Sequence, residues 1–225
     1  MAANHELAEA FSPCETFALA VLEVWDCTLP DNDGSHDHSH LMRVWRMVLK
    51  IAATEATADL ELLAAATLLH DCVAVEKNAP NRAMASRLSA EAARRVLGRL
   101  GWPEERVAAV AHAIEAHSFS AGIEPRSLEA AILRDADRLD SLGALGIART
   151  FYIAGRMESR LYDSADPFGG GRDLDDKSFA LDHFAAKLLK LEAGLLTDQG
   201  RQIGRERTAL MRSFIDDMRR EIFFQ

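Results

Sequence analysis

Residues 62–71 read LLAAATLLHD, and this stretch decides the fold. Its apolar residues neither alternate with polar ones nor leave a polar stripe at helical spacing. From about 58 to 75 the segment is apolar almost all round. Its alanines and leucines favour helix over strand. A helix that is apolar on every side belongs in the middle of a protein, covered by other elements. The run ends on His70 and Asp71. A carboxylate at the end of such a run is costly unless it is paired or binds a metal. The same two residues also suit a hydrogen-bonded core histidine beside a carboxylate that caps a neighbouring helix.

Helices are expected on both sides of this one. Residues 14–27 carry Phe17, Ala18, Val21, Leu22 and Trp25 on one helical face. A loop over 28–35 leads to Asp37, an N-cap for a helix with the stripe Leu41, Val44, Met47, Val48 and Ile51. KNAPNR (77–82) is a polar break. A helix over 83–100 is stopped by Gly101, and Pro103, Glu104 and Glu105 suit the first turn of the next, which runs to about 117. Ser127 caps a helix running on toward 155, kinked near Gly143. DSADPFGGGRD (163–173) is the longest break, mobile or tightly turned, and two further helices are expected over 176–191 and 200–223. Met42, Met47 and Met84 read as core. No repeat, no period-two segment and no glycine-rich phosphate loop after a strand is present. The expectation is an all-α bundle with C-terminal helices packed on it. It forms a single domain over 1–225, with a core at about 33–155 and a helical extension at about 174–223.

Composition narrows the function. Of the 225 residues 48% are apolar and 27% charged, as in globular proteins, which excludes a disordered or fibrous chain. The net charge of −9 argues against general binding to nucleic acid or anionic membranes, which dense Lys/Arg patches serve. A phosphate can still bind locally if a metal or a few basic side chains offset the field. Three cysteines, Cys14, Cys27 and Cys72, form no CxxC pair, so a reducing compartment is expected. The N-terminal MAANHELAEAF lacks the pattern of a signal peptide, and no apolar run has the roughly 20 residues of a membrane span. The expected location is the cytoplasm.

Three places hold metal-binding chemistry. His36, His38 and His40 open one helix, and His36 and His40 share a face. His70-Asp71 closes the central helix. RDADRLD (134–140) sets Asp135, Asp137 and Asp140 in an otherwise apolar helix, where Asp137 and Asp140 face the same way. Arg134 and Arg138 are available to pair with these acids. A histidine, then His-Asp, then a distant aspartate, each on its own helix, makes a coherent set. Mixed imidazole and carboxylate donors suit Mn²⁺, Fe²⁺, Co²⁺, Ni²⁺ or Zn²⁺.

This order resembles the H…HD…D signature of the HD-domain metal-dependent phosphohydrolases. The longer segments SHDHSHLMRVW (35–45), LLHDCVAVEKNAPNR (68–82), AHAIEAHSFSAGI (111–123), DADRLDSLGALGIAR (135–149), DPFGGG (166–171) and LDDKSFALDHFAAKLLKL (174–191) are similar to the bacterial YedJ-like group within it. The resemblance covers nearly all of the chain from about residue 33. It implies an all-α HD fold and one divalent metal ion (Mn, Fe, Co, Ni, Zn or Mg) held by His40, His70, Asp71 and Asp137. It also implies hydrolysis of a phosphate ester or anhydride. Nucleotides are the leading substrate class, by analogy with relatives that remove pyrophosphate from nucleoside triphosphates. The other reading is a nucleotide-binding regulatory module without turnover.

Within that reading Asp71 acts at the metal. Lys77 and Arg82 follow the motif closely enough to reach substrate phosphates, and His183 and Lys187 are further candidates. Asp140, Glu76 and Asp37 are candidates for a general base. His112 and His117 lie five apart, about 140° round the helix, so they do not share a face. His117 alone, near a helix end, is the candidate for touching substrate or a metal-bound water. Exposed Leu and Phe residues near the C-terminus are compatible with a homodimer.

Overall fold

The computed structural model describes residues 2–25, 38–73, 75, 84–119 and 121–224. Among them there are helices and turns but no β-strand; a lone parallel bridge joins Arg160 and Phe179. The chain divides into two compact units, Met1–Asp137 and Arg138–Gln225.

The first unit is built round α4 (Leu60–Leu69), in which every residue from Leu62 to Leu69 is buried. Asp59 starts it: the carboxylate accepts from the Leu62 amide at 3.0 Å, and Arg106 donates to the same carboxylate at 3.3 Å. Four helices cover it: α2 (Glu15–Val24), α3 (His38–Ala52), α5 (Ala85–Arg99) and α6 (Glu104–His117). The short α1 (Ala2–Glu9) packs on α2. Alanine on the buried faces of α5 and α6 lets those helices come close. The buried stripe of α3 includes Trp45, which stacks on Phe11 at 5.1 Å and donates its indole N–H to the Ser12 carbonyl. Met47 is only half-buried, and Met84, expected in the core, is 43% exposed.

The seventh helix, α7 (Leu128–Asp140), starts where Ser127 accepts from the Ala130 amide, the expected cap. It crosses from the first unit into the second. The helix expected over 127–155 with a kink near Gly143 is two helices, because the chain turns at Ser141–Leu142 and restarts as α8 (Gly143–Arg156). Leu142 is extended and Gly143 has φ +77°. A Cβ on Gly143 would also stand 3.1 Å from the Arg207 side chain.

In the second unit α8 packs on α11 (Asp198–Phe223), where Phe151 meets Phe184 and Phe214. The helix expected over 176–191 is shorter and irregular. It begins with α9 (Ala180–His183), widens into a π-helical turn at Phe184–Leu188 and ends with α10 (Leu189–Leu191). The break at 163–173 is tightly turned. The Asp166 carboxylate accepts from the amides of Gly170 and Gly171, and Arg172 makes a two-point ion pair with Asp182 at 2.6 and 2.9 Å. No helix among the described residues is long and apolar enough to cross a membrane, and Cys14 and Cys72 carry no disulfide.

Gly146 gives a test of this packing. Alanine in a helix interior usually stabilises relative to glycine by about 0.5–1 kcal/mol. Here the added Cβ would fall 2.2 Å from the Ser141 carbonyl oxygen, a backbone atom that cannot swing aside. Gly146→Ala should therefore lower stability, by about 1–3 kcal/mol in chemical denaturation. A gain would contradict the turn at 141–142.

Candidate metal centre

The ends of the helices in the first unit bring polar side chains together at one place. His40 comes from the first turn of α3, His70 caps the C-terminal end of α4 with Asp71 following, His117 is the last residue of α6, and Asp137 lies in α7. His40, His70 and His117 stand at helix ends, whereas Asp137 stands three residues before the end of α7.

Two groups of possible ligand atoms result: His40, His70 and Asp137, and His70, Asp71 and His117. In each, the ligand atoms lie within 4.8 Å of one another. His70 belongs to both. The His70 Nε2 is 3.3 Å from His40 Nε2, 3.7 Å from Asp71 Oδ2 and 3.9 Å from Asp137 Oδ1. His40 Nε2 lies 3.6 Å from Asp137 Oδ1, and His117 Nε2 lies 3.6 Å from Asp71 Oδ1. The three imidazoles are buried, whereas the side chains of Asp71 and Asp137 keep about a quarter of their surface. The centre is closed on its imidazole side and open on its carboxylate side.

Hydrogen bonds set which nitrogens face inward. His70 Nδ1 is 2.8 Å from the Thr67 carbonyl and His117 Nδ1 is 2.6 Å from the Ile114 carbonyl. A carbonyl only accepts, so each Nδ1 carries the proton, and in the neutral ring Nε2 is a bare lone pair. The lone pair of His70 points at the ligand nitrogen of His40 and at two carboxylates. Such a cluster of donors suits a divalent cation, with the backbone carbonyls orienting the rings as the outer partners of ligating histidines do.

The electrostatics differ from ring to ring. Burial pushes the His70 pKa down; Asp71 and Asp137 oppose this and the neighbouring His117 and His40 reinforce it. His70 is held neutral. Burial also works against charge on His117, but its pairing with Asp71 and the field of Asp137 outweigh it and lift its pKa.

The other described sequence candidates are not among these ligand atoms. Asp140 is in the second unit, where Arg149 donates to its carboxylate at 2.8 Å and to its carbonyl at 3.3 Å. His183, also in that unit, pairs with Asp176 at 2.8 Å, and Lys187 lies on the π-helical turn. His112 accepts from the Arg126 amide at 3.0 Å. Lys77, Arg82, Glu76, His36 and Asp37 lie outside the described residues. His117, set apart from His112 in the sequence, is the one of the two that stands beside Asp71, at 3.6 Å.

A model of the HD domain matches residues 38–142, the span that holds all five clustered side chains. The chain is 33% identical over 198 residues to the uncharacterized protein YpgQ of Bacillus subtilis, covering 86% of this chain and 88% of YpgQ. The chain belongs to the HD domain family. Solved structures agree with this placing of the HD chain. A crystal structure of an HD-superfamily hydrolase from Bacillus thuringiensis superposes with a TM-score of 0.69 at 30% identity, covering 94% of this chain and 98% of that one. A protein from Lactobacillus plantarum gives 0.72 at 28% identity, covering 93% and 98%. The structure of YpgQ in complex with ADP gives 0.67 at 29% identity, covering 94% and 96%.

The raised pKa of His117 makes a prediction with a definite sign. Protonated His117 paired with Asp71 stabilises the folded chain below the unfolded value of about 6.5, and that stability is lost as pH rises through the higher folded value. In chelator, the stability advantage of the wild type over His117→Gln should be greatest near pH 6 and shrink toward pH 9. Denaturation curves at the two pH values measure it. An advantage that grows with pH would contradict the His117–Asp71 pairing.

Proposed function

We propose that this chain is a divalent-metal-dependent phosphohydrolase acting on a phosphate ester or anhydride of a nucleotide. The reading is carried by one observation: two overlapping groups of imidazole and carboxylate donors share His70 at one half-open centre. His40, His70, Asp71 and Asp137 would hold the ion, and their mixed imidazole and carboxylate donors suit Mn²⁺, Fe²⁺, Co²⁺, Ni²⁺ or Zn²⁺. A bound divalent ion supplies Lewis acidity, drawing charge from a phosphoryl oxygen and making water more acidic. YpgQ, similar over most of its length, crystallises with ADP, and that supports a nucleotide as the substrate.

The residues of the chain then have separate tasks. The half-exposed side, where Asp71 and Asp137 lie, is where the phosphate enters. Water attacks phosphorus in line with the leaving oxygen, forming one P–O bond as the other breaks. The Asp71 carboxylate and His117 Nε2, 3.6 Å apart, take the proton that water releases. Lys77 and Arg82, a few residues beyond Asp71 in sequence, are proposed to offset charge on the phosphates. For a nucleoside triphosphate the products would be the monophosphate and pyrophosphate.

Protein purified without chelator should carry about one transition metal ion per chain. With added Mn²⁺ it should release phosphate or pyrophosphate from one class in a panel of nucleotides. Asp71→Ala should lose metal retention and turnover together. Metal binding without release from any nucleotide would favour a regulatory binding module. Full activity in Asp71→Ala, or no metal uptake by the wild type, would overturn the proposal.

A further inference from the structure

Arg134 has an unusual setting for an arginine. Its side chain is only 11% exposed, and its Nε is buried with no acceptor among the described residues. Among those residues its one ion pair is with Glu124, at 3.5 Å, too long for a good hydrogen bond. Glu124 itself is 84% exposed, so water rather than Arg134 solvates most of that carboxylate. A guanidinium offers five donors in a planar fork suited to carboxylate or phosphate. This one is enclosed, yet its pairing is loose.

Its position gives the enclosure a purpose. Arg134 stands three residues before Asp137 on α7, and the side-chain stems of such neighbours lie about 5–6 Å apart. Both are on the half-buried stripe of the helix, whereas Leu133, Asp135 and Ala136 are buried. Helical side chains lean toward the N-terminus, so Asp137 reaches over the turn that begins at Arg134, and Arg134 reaches onward toward the residues that precede the helix. An anion seated at the open, carboxylate side of the centre would extend along this stripe.

We propose that Arg134 contacts the phosphoryl group adjacent to the one held at the metal centre, so that the site selects nucleoside di- and triphosphates over monophosphates. This rests on the phosphohydrolase reading. Glu124 is the stand-in anion that occupies Arg134 until a phosphate chain displaces it. Removing Glu124 should therefore improve binding, an effect that a purely structural ion pair would not produce.

The test is calorimetric titration of Mn²⁺-loaded protein with ADP and with AMP. Arg134→Ala should weaken ADP binding about 10- to 100-fold, the worth of charge-assisted hydrogen bonds, and leave AMP within about twofold. Arg134→Lys should recover part of the loss. Glu124→Gln should tighten ADP several-fold without changing AMP. ADP binding unchanged in Arg134→Ala, or ADP and AMP weakened equally, would overturn the assignment and leave the phosphohydrolase reading standing. Should Arg134→Ala fail to fold, unchanged ADP affinity in Glu124→Gln would overturn it alone. Wild-type protein that binds neither nucleotide would remove the underlying reading and the assignment with it.

Discussion

At the end of α4 the Thr67 carbonyl accepts a hydrogen bond from His70 Nδ1–H, 2.8 Å away, where no surface of the imidazole reaches water. That bond fixes the tautomer, and burial fixes the charge at zero. The other ring nitrogen must then face something that accepts a lone pair, and the surrounding helices supply what such a nitrogen and a cation would share: a second imidazole from α3, a carboxylate from α7 and the pair Asp71 and His117. None of these helices could bring its polar end here unless α4 were apolar on all sides. The packing requirement and the chemistry of the centre are two consequences of one run of residues.

The chain as a whole is acidic, with a net charge of −9, yet its arginines are placed where backbone or carboxylate groups need them. In the second unit Arg149 donates to the Asp140 carbonyl and carboxylate, and Arg207 donates to the Leu139 carbonyl. These are among the acceptors that a helix leaves open at its C-terminus, where a positive charge also suits the helix dipole. Asp140 is thus held by Arg149 at the end of α7. In the first unit the Arg106 guanidinium joins Asp59 to Glu61 at the start of α4. Arg134 differs from all of these, since its carboxylate partner is mostly in water.

Much of this was legible in the sequence. The all-round apolar character of 62–69 announced the central helix, and Ser127 and Pro103 marked helix starts because caps act within a few residues. His40, His70, Asp71 and Asp137 could be set in order because each ends or interrupts an apolar pattern. What could not be read depends on contacts distant in sequence. Gly143 marks a kink in the sequence, but the full break between α7 and α8 brings the backbone close to Arg207, more than 60 residues away, and that contact is not legible locally. Trp45 is buried because Phe11 and the Ser12 carbonyl receive it, although Arg43 and Arg46 flank it in sequence. His117 meets Asp71 only once α4 and α6 are packed.

The turn at 163–173 carries a mechanical consequence. The Asp182 carboxylate, fully buried at the start of α9, is satisfied by Arg172 and by the Asp175 amide. Lifting this loop away from α9 would strand a bare charge in a dry place, and the penalty for that is several times thermal energy. The three consecutive glycines therefore do not work as a hinge. Loop and helix are joined through one buried carboxylate, next in sequence to His183.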